Sequence, residues 1–547
     1  MQDTGTGQIL FSDKLEGQDV QSIFGMVDRL TARIAGNFLP PSALPQKTPE
    51  IEDASTSNVE AYRHYQLGLD YGRRFLEADS IRELEEAVRL DPQFAVAYMR
   101  LSDEYFQVGD LRRSNEIAIK VGQMQSRLPR YEQLSLQVIN AGRSRDLEAM
   151  LHAREKLVAE FPRDSFQRGL LAGNLSSLGH RDQAREVLRQ GLALDPKNED
   201  LLNFESYHLA QAADFNAALA DNDRYQAIRP GDPNPMDSRG DILYMAGRYD
   251  EAAAAYRKVI ELKPDFTDYG DYVKLAMVYA EQNKPDMAQA AFQQSAQRTG
   301  PLPRLYVPGF EAQMAQMRGD LEGALAGYRK VVGQLGRAGQ NQTAEGFLEQ
   351  FAVLSVMLGQ SSSALSFAQQ QRLDGEELQA IALLQTIAGN TSAAEQSLKR
   401  FAENHPAVAP RVLQHQQAMN EMLAAVERND GQTALTRAGS IPDFQFPRVL
   451  FLKGRAHLLV NDYSSAETEF HRALLFAHNQ ANLRFLTQRF PVLEMLCHYY
   501  LGQVYERTGK RDQAINEYQE FLSHFQSSHT RLPQVAEART TLKRLMQ

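Results

Sequence analysis

The sequence predicts an all-α protein built as a linear array of short helix hairpins. The first observation is a period. Pro162, Pro196, Pro230 and Pro264 stand 34 residues apart, each closing a helical run: "LVAEFP", "GLALDP", "YQAIRP" and "VIELKP". Pro92, closing "AVRLDP", lies 70 residues before Pro162, close to two such steps. Proline cannot continue a helix, so each marks a helix boundary. The second observation is the internal logic of one unit, "PMDSRGDILYMAGRYDEAAAAYRKVIELKP". Helix A is expected from about Met236 to Met245 and helix B from about Tyr249 to Leu262, with Gly247 between them taking the left-handed cap. Gly240 and Ala252 are small where the helices approach, and Tyr256 and Val259 fill the space between them. The third is length. At 547 residues the chain exceeds one ordinary globular domain, and a core that grows along an axis accommodates that length.

The elements follow in order. Asp3-Thr4-Gly5-Thr6-Gly7 reads as a turn. Ile9, Phe11 and Leu15 fall on alternate positions of a strand over 8–17. Val20, Ile23, Phe24, Val27, Leu30 and Ile34 then share one face of a helix over 19–37. One strand and one helix have no core of their own, so residues 1–38 read as the end of a larger α/β domain whose strand needs a partner. Residues 39–57, "LPPSALPQKTPEIEDASTS", form an extended linker rich in Pro, Ser and Thr. Regular hairpins are expected over 58–300, less regular ones over 301–447, and further hairpins over 448–547, about twelve or thirteen in all. "GQLGRAGQNQT" (333–343) reads as a long loop between units, and "RAGSIPDFQFP" (437–447) as a break after a shortened unit. Val535, Ala538, Leu542 and Leu545 share a face of a final helix that caps the open end.

This pattern resembles the tetratricopeptide repeat, whose units carry small residues at positions 8, 20 and 27 and proline at 32. Other stretches repeat it: Leu67-Gly68, Tyr71, Leu84 and Ala87; Leu171-Ala172, Gly179 and Ala184; Gly454, Tyr463, Ala466 and Phe470; Leu501-Gly502, Tyr505, Ala514 and Tyr518. The resemblance implies a right-handed superhelical solenoid whose A helices line a groove. Carried over to the groove positions, it names Tyr65, Asp103, Phe106, Asn203, Tyr207, Asn234, Asp237, Asp241 and Tyr244. Asn would hold a peptide backbone, Tyr would give contact area, and the carboxylates would favour basic residues. Arrays that clamp acidic C-termini use Lys and Arg there, so Asp237 and Asp241 argue against that class. A solvated polar face is the plainer reading of any one of these residues. The stretch "DTGTGQILFSDKLEG…QSIFGMVDRLTARI" resembles the end of the TolB-like domain, which in bacterial signalling proteins precedes such arrays. That resemblance implies a parent with a kinase or DNA-binding module and a membrane helix, and places this portion outside the cytoplasm; a cytoplasmic position is the alternative.

Composition narrows the rest. A formal charge of −10 argues against nucleic acid and against an anionic membrane surface. Cys497, the single cysteine, excludes an internal disulfide and a cysteine zinc site; among Leu496 and Tyr500 it reads as a buried small residue. His405, His415, His457, His471, His478, His498, His524 and His529 form no tight ligand pair, and "GQLGRAG" lacks the ending of a phosphate loop. No cofactor, metal or catalytic set is expected. The function read from the sequence is non-catalytic protein or peptide binding, as the sensing region of a larger bacterial signalling protein. Two alternatives stand beside it: a subunit that self-assembles through its strand (Ile9, Phe11, Leu15) or its array ends, and an enzyme with a site in 301–447.

Overall fold

The computed structural model describes residues 56–547 apart from 109, 299–300, 443–445, 478–488 and 526–531, together with positions 26, 29, 30 and 33, which are helical. The strand residues Ile9, Phe11 and Leu15 and nearly all of the linker lie outside the described residues. Those described form α-helices and short 3-10 turns, and no strand occurs among them. Among the described residues successive helices pair as antiparallel hairpins, and within each compact unit neighbouring hairpins pack on one another. The first pair is α1 (Val59–Arg73) with α2 (Glu77–Leu90), the last pair is Pro491–Arg507 with Arg511–Ser523, and helix Pro533–Leu545 closes the series. No described helix is long and apolar enough to cross a membrane. The chain divides into two compact units, Met1–Ile139 and Asn140–Gln547.

Local chemistry explains why the hairpins start and stop where they do. Asn58, Asp146, Asp164, Asn198, Asp214 and Asp320 each accept a backbone N–H from the first turn of the helix they precede, satisfying donors the helix leaves open. The turn between the two helices of a hairpin needs one left-handed residue. Gly247 supplies it at φ +69°, as expected, between helices Pro233–Met245 and Tyr249–Leu262. Ala213 holds the same conformation at φ +62°, where a Cβ is strained. Ala213→Gly is therefore expected to stabilise the chain by about 1 kcal/mol, read as a higher urea midpoint. Inside a hairpin the helices approach closely. A Cβ built on Gly240 would lie 2.4 Å from the Tyr256 ring, on Gly454 2.7 Å from Phe470, and on Gly502 2.8 Å from Tyr518. The large residue of helix B thus fills the space over the small residue of helix A.

The region 333–343 corrects the sequence reading of a long loop. Helix Leu321–Arg337 runs straight through Gly333 and Gly336, and Asn341 already begins the next helix. Val331, Val332 and Leu335 are fully buried and hold the helix against the glycines' conformational cost. Gly336 has its own reason, because a Cβ there would sit 2.8 Å from Leu373. The break after the eight-residue helix Gly431–Ala438 occurs where expected, and Pro447 opens the next helix.

Within Asn140–Gln547 the array returns upon itself. The Ala409 N–H donates to the Ser144 carbonyl at 3.2 Å. Arg145 pairs with Glu376 at 2.6 Å and Arg411 with Asp146 at 2.6 Å. Below these pairs Leu151, Val158 and Leu171 share one apolar cluster with Ala418, Ile441 and Val449. A second closure joins the last hairpins to the middle ones: Val492 N–H donates to Gln316 Oε1 at 3.0 Å, and His524 Nδ1 lies 2.8 Å from the Met317 carbonyl. Neighbour-on-neighbour packing builds the core, and these contacts between distant repeats fix how the array winds within the unit.

Candidate partner-binding surfaces

In the first unit the A helices α1 and α3 (Ala95–Gln107) carry Tyr65, Asp103 and Phe106. The Tyr65 ring lies 5.0 Å from the Phe94 ring and 6.1 Å from that of Tyr62. Arg100 shares a hydrogen bond with Tyr65 and approaches Asp103 at 3.8 Å. Burial pushes the Tyr65 hydroxyl upward, against the opposing pull of Arg100, so it stays a neutral donor. Phe106, 41 % exposed, lies one turn on from Asp103 in the same helix. Aromatic area combined with arginine is the chemistry of interface anchors.

In the second unit Tyr207, Asn234, Asp237, Asp241 and Tyr244 are engaged by the chain itself. Asn203, half-buried, has its carbonyl oxygen buried. Asn234 donates to the Tyr225 hydroxyl at 2.8 Å within its own repeat. Asp237 and Asp241 meet Lys274, whose Nζ lies 2.6 Å from one and 3.0 Å from the other. Tyr207 and Tyr256 each donate to Asp241 at 2.6 Å. The basic partner expected from outside is therefore Lys274 of the next repeat's A helix, Gly270–Glu281. The repeat pattern does not mark that lysine. Its signal was available: it stands in "DYVKLAMVYA", a run otherwise too apolar for a solvated face.

Asp271 joins this network by a hydrogen bond to Asp237. Burial first, and the neighbouring Asp237 second, push its carboxyl well above the usual range. The unfolded acid ionises near pH ~3.9. Above that pH the folded chain holds a proton the unfolded chain has lost, so stability falls as pH rises until the folded group itself ionises. Asp271→Asn is expected to flatten this fall. Urea midpoints at pH 4 and pH 8 should lie closer together in the variant, and an unchanged difference would contradict the assignment.

Tyr244 is fully buried by a residue 245 positions away. Arg489, 1 % exposed, places Nη1 3.4 Å from the Tyr244 hydroxyl, and Nη2 2.5 Å from Glu281 and 2.9 Å from Glu494. The Tyr244 hydroxyl donates to Glu281 at 2.8 Å. Nothing in the local sequence marks Arg489 as buried, because its partners Tyr244 and Glu281 come from other repeats. Cys497, in helix Pro491–Arg507, is buried and its thiol is pushed up by that burial, as suits a packing residue. Among the described residues no three His, Cys, Asp or Glu side chains converge as a metal site.

With this geometry in hand, residues 169–198, 235–266 and 497–528 each match a family model of the tetratricopeptide repeat. Three of the hairpins carry the tetratricopeptide pattern. They hold the tight crossings described above at Gly240 and Gly502, and the helix pairs stacked on either side of them make the fold a tetratricopeptide-type solenoid. The TPR repeat-containing protein PA4667 of Pseudomonas aeruginosa is 28 % identical over 198 residues, which is 35 % of this chain; the match spans only 32 % of that protein. Among solved structures, a tetratricopeptide repeat protein from Parabacteroides merdae is 12 % identical, over 53 % of this chain and 98 % of that one, with a TM-score of 0.25. The structure of Naa15/Naa10 bound to HypK-THB is 13 % identical, over 89 % of this chain and 90 % of that one, also at 0.25.

Proposed function

We propose that this chain is a non-catalytic scaffold that binds a protein or peptide along its A-helix faces, as the partner-sensing region of a larger bacterial signalling protein. The observation that carries this reading is the surface around Phe106. Tyr65, Arg100 and Asp103 interact along the A helices, and Phe106, partly exposed, follows Asp103 by one helical turn, so an apolar anchor and a hydrogen-bonding backbone would find complementary groups there. The tetratricopeptide matches support a binding role, since such repeats present extended surfaces through the curvature of their stacking. An extended peptide with an apolar side chain for Phe106 and a polar neighbour for Arg100 and Asp103 fits best.

The test is a random-peptide selection against the full chain, followed by titration of the selected peptides. Phe106→Ala should weaken the majority by about tenfold or more, the size expected of an interface anchor. Peptides that bind the variant as tightly as the parent would refute this surface.

A further inference from the structure

We propose that the A-helix face built from Tyr244, Met277 and Glu281 is an arginine-reading site, occupied in this structure by the chain's own Arg489-Phe490 segment, and that its external partner carries an arginine followed by an aromatic residue. The proposal rests on the reading of A helices as the binding face, but not on the Phe106 surface. Arg489 is the largest fully buried side chain among those described. Its guanidinium meets Glu281 and Glu494, with Nε 3.1 Å from a Glu494 oxygen, and packs 4.0 Å from the Met277 sulfur. Phe490, buried beside it, lies under the Arg448 guanidinium at 5.8 Å. Arginine is suited to such a place, because its planar fork gives several hydrogen bonds at fixed angles and is weakly hydrated.

The occupant shows what the site accepts. Helices Pro233–Met245 and Gly270–Glu281 supply Tyr244, Met277 and Glu281, so these three remain when the late segment leaves. Glu494 travels with Arg489, only five residues on, and would leave with it. What stays is the Glu281 carboxylate, the Tyr244 hydroxyl and the Met277 thioether, with the Tyr249 and Tyr328 hydroxyls near enough to feel the guanidinium: a site with a single negative charge. An incoming arginine restores the lost pairing, and an aromatic neighbour replaces Phe490. A buried carboxylate without its cation is costly, so the site favours occupation by one arginine or another. The chain's own segment and an external one therefore compete.

Two measurements on the full-length chain test this. In the first, a labelled peptide of residues 489–494, RFPVLE, is titrated by fluorescence anisotropy into the parent and into Arg489→Ala, with AFPVLE as control. The variant should bind RFPVLE at least about tenfold more tightly than the parent does, should ignore AFPVLE, and should lose binding when Glu281→Gln is added. A variant that binds neither peptide, or both alike, overturns the proposal. The second uses the unaltered chain and so does not depend on the variant's folding. Excess RFPVLE should accelerate amide exchange in 491–507, and AFPVLE should not; exchange unchanged by RFPVLE overturns the proposal as well. Failure of both with Phe106→Ala still weakening selected peptides would remove this site alone, leaving the scaffold reading in place.

Discussion

Lys274→Met is expected to destabilise the second unit by about 3–5 kcal/mol, the usual result of removing one partner from a buried ion pair. Lys274 and Asp237 are each almost wholly buried, and Lys274 serves Asp237 and Asp241 together. Methionine keeps the aliphatic stem and its packing near the Tyr256 ring, so the loss isolates the charge. Burial already pushes the Asp237 carboxyl upward, and Lys274 is the largest influence opposing it. Without that cation Asp237 would take up a proton, and Asp241 would retain only the hydroxyls of Tyr207 and Tyr256. Urea denaturation of the parent, Lys274→Met, Asp237→Asn/Asp241→Asn and the triple variant completes a cycle. The lysine substitution should cost much less in the double-Asn background. An equal cost in both would show that Lys274 contributes packing rather than charge.

Phe347→Ala is the second large effect, at about 3–5 kcal/mol, the range for removing a fully buried phenyl ring. Phe347, on helix Asn341–Met357, is wholly buried. Its ring lies 6.2 Å from those of Tyr306 and Tyr328, and a Cβ on Gly309 would fall 2.6 Å from it. Three successive helices therefore meet at this one side chain: Pro301–Met317, Leu321–Arg337 and Asn341–Met357. The facing residue is Gly309, which has no side chain to fill the void, so the cavity should persist. Differential scanning calorimetry of the variant should show a lowered midpoint. A loss below about 1 kcal/mol would mean that this stretch collapses around the missing ring.

These two sites differ in how far the sequence discloses them. Hairpin boundaries are local matters of caps, glycine turns and small-against-large spacing, so helix Tyr249–Leu262 and the turn at Gly247 are legible at the level of single residues. The glycines of 333–339 mislead, because what keeps that stretch helical is the burial of Val331, Val332 and Leu335 against other helices. Asp237 and Asp241 are legible as residues of the A-helix face, while their engagement by Lys274 is only hinted at by a charge in an apolar run. Arg489 is illegible for a physical reason. Its partners Tyr244 and Glu281 stand 245 and 208 residues away, and the winding that joins them depends on small rotations summed over many hairpins. No local pattern records such a sum.

The winding of the second unit is the central claim, and one cross-link tests it most directly. Ser144 and Ala409 are half-buried and joined through their backbones at 3.2 Å, though 265 residues of chain separate them. In Ser144→Cys/Ala409→Cys, mild oxidation should close an intramolecular disulfide, seen as a linked peptide pair by mass spectrometry, while buried Cys497 stays reduced. Free thiols at both positions after oxidation, in a chain with full helical content, would mean that the array does not return on itself at Ser144 and Ala409 and that the Arg145 and Arg411 pairs are not features of the folded molecule.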